Sequence, residues 1–171
     1  MDFKDIVQRR RSIRKYTDQP VSEEDLRTIL RAALMAPTGH SLRSWQFFVV
    51  RDKDTLEALS RAKDTGAEFL AGASVAVVVA YDIAAPTWIE DASIAAVTMQ
   101  YQAAELGIGS CWAQLRDRTT AEGQPTRQYL QGLLGVGEGH EVVCAIGFGY
   151  PAIERKPQDE EKLKWEEVRV I

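Results

Sequence analysis

Three arginines surround a hydroxyl in one short stretch, Arg10-Arg11-Ser12-Ile13-Arg14. A second stretch, Pro37-Thr38-Gly39-His40-Ser41-Leu42-Arg43, is rich in turn-forming residues, carries its own arginine and runs into Trp45 and Phe47. Guanidinium groups and hydroxyls are the donors a phosphate demands, because each holds its oxygens through charge-assisted hydrogen bonds. Arg10 and Ser12 are the best placed in the first stretch. Alone, Arg9 to Lys15 reads as the solvated basic end of a helix. With the second stretch beside it, the pair points to capture of one phosphorylated small molecule.

The whole chain argues the same way. Its 171 residues are 45% hydrophobic and 27% charged, with a net charge of −4. That is an ordinary globular composition, sufficient for one domain over residues 1–171 that buries roughly 70% of its unfolded surface. An acidic protein with one basic segment suits local capture of a small anion. Nucleic acids and membrane surfaces call for a broad basic patch, so neither is expected as a partner. Cys111 and Cys144 read as small buried hydrophobes in a reducing compartment. Two histidines, His40 and His140, are too few for a histidine-based metal site, and no metal is expected. The first residues have no apolar signal region and no run is long enough to span a bilayer, so a cytoplasmic location is expected.

The elements that would position these residues follow from periodicity. Phe3, Ile6 and Val7 share a helical face that leads into the arginines. After the Thr17–Pro20 breaker, Ser22 caps a second helix, with Asp25 three positions on and Leu26, Ile29, Leu30, Ala33 and Leu34 as its buried stripe. Pro37 and Gly39 end it. Trp45–Val50 predicts a strand, Asp52–Lys63 a helix, and Ser74–Tyr81 a strand apolar on both faces and so covered on both. Asp91–Leu106 is a helix apolar on most sides, which implies burial on most sides, including against a second subunit. A strand over Ser110–Leu115, a polar loop over Arg116–Pro125, a helix over Thr126–Leu134 and a strand over Val142–Ile146 follow. The charged tail beyond Pro157 carries Trp165, Val168, Val170 and Ile171, which implies that it lies across another surface, such as a partner. Irregular interleaving of these elements reads as α+β.

With the segments in place, the chain resembles the FMN-dependent nitroreductase family over nearly its whole length. The motifs are Arg10, Arg11, Ser12, Arg14 and Tyr16; Ala36, Pro37, Thr38, Trp45 and Phe47; the block Gly107 to Trp112; and Gly149-Tyr150-Pro151 with Lys156-Pro157. The resemblance implies a central mixed sheet flanked by helices, in an intertwined homodimer with two flavins at its interface. It implies that Arg10, Ser12 and Lys156 serve the FMN phosphate, that Arg11 belongs to the same cofactor site, and that Arg14 sits by the reducible edge of the ring. Pro37, Thr38, Gly39, Ser41 and Arg43 would reach the flavin from the other subunit, and Gly109 and Ser110 would lie against it. Ser41, Arg43 and Ser44 replace the usual asparagine, glutamine and proline. Either Arg43 contacts the ring or ribityl chain in the glutamine's place, or it pairs with a carboxylate at the interface.

The implied activity is ping-pong oxidoreduction. NADH or NADPH would deliver hydride to flavin N5 and leave, and a nitroaromatic or quinone-type small molecule would then be reduced in the same cleft. No side chain need act as acid or base, so no catalytic residue is assigned. No Gly-x-Ser-x-Gly elbow supports a nucleophilic enzyme, and Gly135-Val136-Gly137-Glu138-Gly139 follows a helix rather than a strand, unlike a dinucleotide loop. Two rivals remain open. One is an FMN-holding protein without turnover; the other is an anion-binding module built on the basic segment.

Overall fold

The computed structural model describes residues 2–171. Five helices and four strands follow in the order α1 (Phe3–Arg9), α2 (Glu23–Leu34), β1 (Trp45–Val50), α3 (Lys53–Ser60), β2 (Val75–Asp82), α4 (Trp88–Glu105), β3 (Gly109–Gln114), α5 (Thr126–Leu134) and β4 (His140–Gly149). The strands form one sheet in the order β1-β2-β4-β3. All three strand pairs are antiparallel. The expected mixed sheet is therefore met only at its edge, where a single parallel bridge joins Ser12 to Ser110. Chain direction in a sheet depends on which distant strands meet, and periodicity carries no record of that.

Strand β2 shows why the sheet is central. Val75, Val77, Val79 and Tyr81 enter one apolar cluster, shared with α2 and α4. Ala76, Val78 and Ala80 enter the other, shared with α3 and α5. Alternate side chains point to opposite faces, so a strand buried on both sides must be apolar at every position. Leu56 and Leu59 are the buried face of α3; truncating either to alanine would cost about 2–5 kcal/mol.

Local sequence sets the helix starts. The Ser22 hydroxyl accepts from the Asp25 amide at 3.0 Å and donates to its carboxylate at 2.8 Å, as the capping pattern requires. At α3 the cap is Asp52, whose carboxylate accepts from the Thr55 amide and hydroxyl. These bonds hold the Asp52 pKa below its ordinary value, the hydroxyl contributing most. Helix α4 begins at Trp88, three residues before the expected start, and β4 extends well beyond Val142–Ile146 at both ends.

Candidate functional site

The basic stretch leaves the helix before its chemistry begins. Helix α1 stops at Arg9, and residues 10–16 run extended along the edge of β3 and the end of β4. The Ile13 amide donates to the Ser110 carbonyl at 2.9 Å and the Thr17 amide to the Tyr150 carbonyl at 2.9 Å. Tyr16 bridges to Pro151, and its hydroxyl donates to the Ile13 carbonyl at 2.6 Å. Burial, with the neighbouring Cys111 thiol adding, raises the Tyr16 phenol far above its ordinary pKa, and Arg14 opposes the shift. Close approach is what permits this pairing. A methyl on Gly109 would stand 2.9 Å from Ile13, and one on Gly149 would stand 2.8 Å from the Tyr16 ring.

Beside this pinned segment lies a cleft of about 590 Å³, reached by Arg9, Arg10, Arg11, Gly109, Ser110 and Arg155. Among the described residues, Glu154 is the single carboxylate at its wall, and none of the four arginines there forms an ion pair. The result is a concentration of unpaired positive charge in an acidic protein. On β3, burial raises the Cys111 thiol pKa, while Arg14 outside the cleft, the Ser12 hydroxyl, the Trp112 backbone and, least, Arg10 oppose the rise. Cys111 and Cys144 are both buried and unpaired, as expected of core hydrophobes.

The C-terminal segment meets the same wall. An Arg11 guanidinium N–H donates to the Lys156 carbonyl and, at 3.4 Å, to that of Pro157. The Gln158 amide donates to the Gln8 carbonyl at 2.8 Å, and the Gln8 side chain returns a bond at 3.4 Å. Arg11 therefore holds the backbone that carries Lys156. Beyond this clasp every residue is exposed, Trp165 by 70%, and the hydrogen bonds of residues 159–168 are all local.

The second stretch lies elsewhere. The turn over Gly39–Ser41 is anchored on the first turn of α4, where the Gly39 amide donates to the Asp91 carboxylate at 2.9 Å. Ala104 and Gly107, at the other end of α4, line the cleft. Between them lies roughly 20 Å of helix axis. The strand register agrees: β1 begins opposite Tyr81, at the far end of the sheet from the Gly109–Gly149 pair. Within one chain, then, the cleft brings together Arg10, Arg11, Gly109 and Ser110, with Ser12 alongside on the edge of β3. Lys156 adjoins it through its backbone. Pro37, Thr38, Gly39, Ser41 and Arg43 are remote, and Arg14 is exposed outside its walls.

Two groups escaped the sequence reading. Arg9 was hidden inside a basic run and reaches the cleft from the last turn of α1. Asp91 looked like an ordinary acid in a helix's first turn, where carboxylates complement the dipole; it is 2% exposed and holds three hydrogen bonds. An acid opening an otherwise apolar helix was its only sequence signal. Among the described residues, no cluster of metal-ligating side chains occurs and no helix is long and apolar enough to cross a membrane.

The chain is thus an α+β protein with helices on both faces of its sheet and an arginine-lined cleft at one end. The nitroreductase family profile matches residues 7–65 and 57–150, and the chain belongs to that family. An FMN-dependent nitroreductase from Clostridium difficile is 42% identical, with a TM-score of 0.93 over 96% of both chains. A Bacteroides fragilis nitroreductase solved with bound FMN is 26% identical, with a TM-score of 0.79 over 100% of this chain and 99% of that one. A relative from Archaeoglobus fulgidus, provisionally named an NADH dehydrogenase/NAD(P)H nitroreductase, is 36% identical over 155 residues, 88% of this chain and 86% of its own.

Proposed function

We propose that this chain is an FMN-dependent oxidoreductase that works as a homodimer, taking electrons from NADH or NADPH and reducing a nitroaromatic or quinone-type acceptor. The observation that carries the reading is the cleft of unpaired arginines on an acidic protein. Its fit to the cofactor is good: about 590 Å³ lies within the roughly 300–1,000 Å³ of small-molecule sites, and the donors suit a terminal phosphate. When bound, FMN supplies reversible two-electron hydride chemistry that no side chain can provide.

The chain's own residues bind, orient and bias. Arg10 and Ser12 take the phosphate, with Lys156 completing the grip and Arg11 holding Lys156 in place. Gly109 and Ser110 supply close backbone. Arg14 favours negative charge on the reduced ring. The turn of Pro37, Thr38, Gly39, Ser41 and Arg43 serves the cleft of the second copy, since it stands remote from its own. Donor and acceptor then occupy one cleft in turn, which makes the reaction ping-pong.

The test is an anaerobic titration of the purified protein with NADH and NADPH, followed by its visible spectrum. A yellow protein that bleaches and recolours on addition of a quinone or nitroaromatic is expected. A colourless protein that takes up no FMN overturns the reading, and one that stays yellow with either nicotinamide has no turnover.

A further inference from the structure

Asp91 is a buried carboxylate that no ion pair compensates among the described residues, and three donors from three places converge on it. The Gly39 amide reaches one oxygen at 2.9 Å. The Tyr81 hydroxyl of β2 and the Thr87 hydroxyl before α4 reach the other at 3.0 and 3.1 Å. A buried acid satisfied only by hydrogen bonds is costly to keep unless its position matters. What it holds is an unusual turn: His40, Ser41 and Arg43 all have left-handed backbones, with φ of 52°, 55° and 50°. Non-glycine residues adopt that conformation rarely and at an energetic cost, so three in four residues require an external restraint. Thr87 also packs against Gly39 so closely that a Cβ there would collide with its hydroxyl. Tyr81 is itself fixed, its ring against Trp45.

We propose that Asp91 is a positioning residue for the cofactor site of the second subunit: it locks the 38–43 turn so that Ser41 and Arg43 are presented to the partner's cleft. This rests on the reading above, in which FMN binds between two copies. The carboxylate touches no ligand. Its influence crosses the dimer, so a defect at Asp91 appears in a cleft made by the other chain.

Complementation tests this directly. The Asp91→Asn variant keeps one oxygen for Gly39 and replaces the other with an amide that cannot accept from Tyr81 and Thr87. Its homodimer should bind FMN at least about tenfold more weakly, a loss on the scale of one charged hydrogen bond. Arg10→Ala should lose FMN in its own cleft. A hybrid dimer of one Asp91→Asn chain and one Arg10→Ala chain unites an intact cleft with an intact turn. It should regain tight FMN binding at half the wild-type stoichiometry, read by quenching of flavin fluorescence. Wild-type affinity in Asp91→Asn, or a hybrid with no tight site, overturns the inference. Should Asp91→Asn not fold, the double variant Tyr81→Phe, Thr87→Val, which strips both hydroxyls from one Asp91 oxygen, takes its place in the same hybrid, and unchanged affinity in its homodimer overturns the inference. If the wild-type protein binds no FMN, the parent reading fails instead, which is a separate result.

Discussion

The cleft and the 38–43 turn are both polar, arginine-bearing segments, yet they are built by opposite means. The cleft wall is a strand in all but name: residues 10–17 are paired backbone to backbone with Ser110, Tyr150 and Pro151, and glycines allow the contact. The turn makes no such ladder. Its own bonds are short-range, from the Ser41 amide to the Thr38 carbonyl, the Leu42 amide to the Gly39 carbonyl and the Arg43 amide to the Thr38 hydroxyl. The Asp91 carboxylate ties Gly39 to the body of the fold against the cost of left-handed backbone angles. The cleft presents four arginines to a hollow in its own chain, whereas the turn lies roughly 20 Å along α4 from that hollow and lines no part of it. A site made in one chain can rely on sheet pairing for precision. A segment offered to another molecule must keep its polar groups free, and so needs its restraint from behind.

The largest effect that would break this contrast is at the cleft. Arg10→Ala should raise the dissociation constant for FMN by roughly 10–100-fold, the scale of one or two charge-assisted hydrogen bonds. Flavin content after purification measures it, and full retention would remove the phosphate role. The next is at the exposed arm. Trp165→Asp places a charge on a side chain that is 70% exposed here, in the C-terminal tail expected from its apolar residues to lie across a partner. Sedimentation should show weakened self-association, while a dimer of wild-type strength would mean that the arm docks nowhere.

Arg14 sharpens the comparison at lower amplitude. A cation about 4 Å from developing negative charge is worth on the order of 4 kcal/mol at an effective dielectric near 20. Arg14 is exposed, so solvent screening leaves only a small part of that. Arg14→Ala should keep its FMN and slow reduction by NADH by at most about fivefold in stopped flow. Loss of flavin instead would make Arg14 part of the phosphate grip.

How far the sequence reached follows from the same contrast. Helix α2 was legible because the Ser22 cap and the buried Leu26, Ile29 and Ala33 agree, although Leu34, expected in the same stripe, is exposed at the helix's last residue. So was β2, because only a strand covered on both sides is apolar throughout. Strand β4 was underestimated because His140 and Glu141 open it and Gly147 and Gly149 interrupt its apolar run. The closeness of Arg10 to Gly109 and Ser110 was carried by motifs. The tail's attachment through Arg11 was not, because its bonds are to backbone carbonyls, which every residue has. Asp91 was illegible for a different reason: beside the local Thr87 hydroxyl, its donors Gly39 and Tyr81 come from elements that only the fold brings to it.

The smallest predicted effect is the most pointed about how the turn is held. His40 is exposed and sits at φ 52°, a conformation that costs a non-glycine residue roughly 1–2 kcal/mol. Glycine would remove that cost but give the unfolded chain about 0.5–1 kcal/mol of extra freedom. The two terms nearly cancel, leaving His40→Gly neutral to slightly stabilising, a melting-temperature rise of at most a few degrees for a chain this long. Gly109→Ala is the mirror experiment. It adds a methyl where Ile13 stands 2.9 Å away and should lower the melting temperature by displacing the paired segment. Opposite signs from the two substitutions would establish that backbone strain is tolerated in the turn and packing is not tolerated in the cleft. A fall in both would mean that the His40 side chain, not Asp91, keeps the turn in shape.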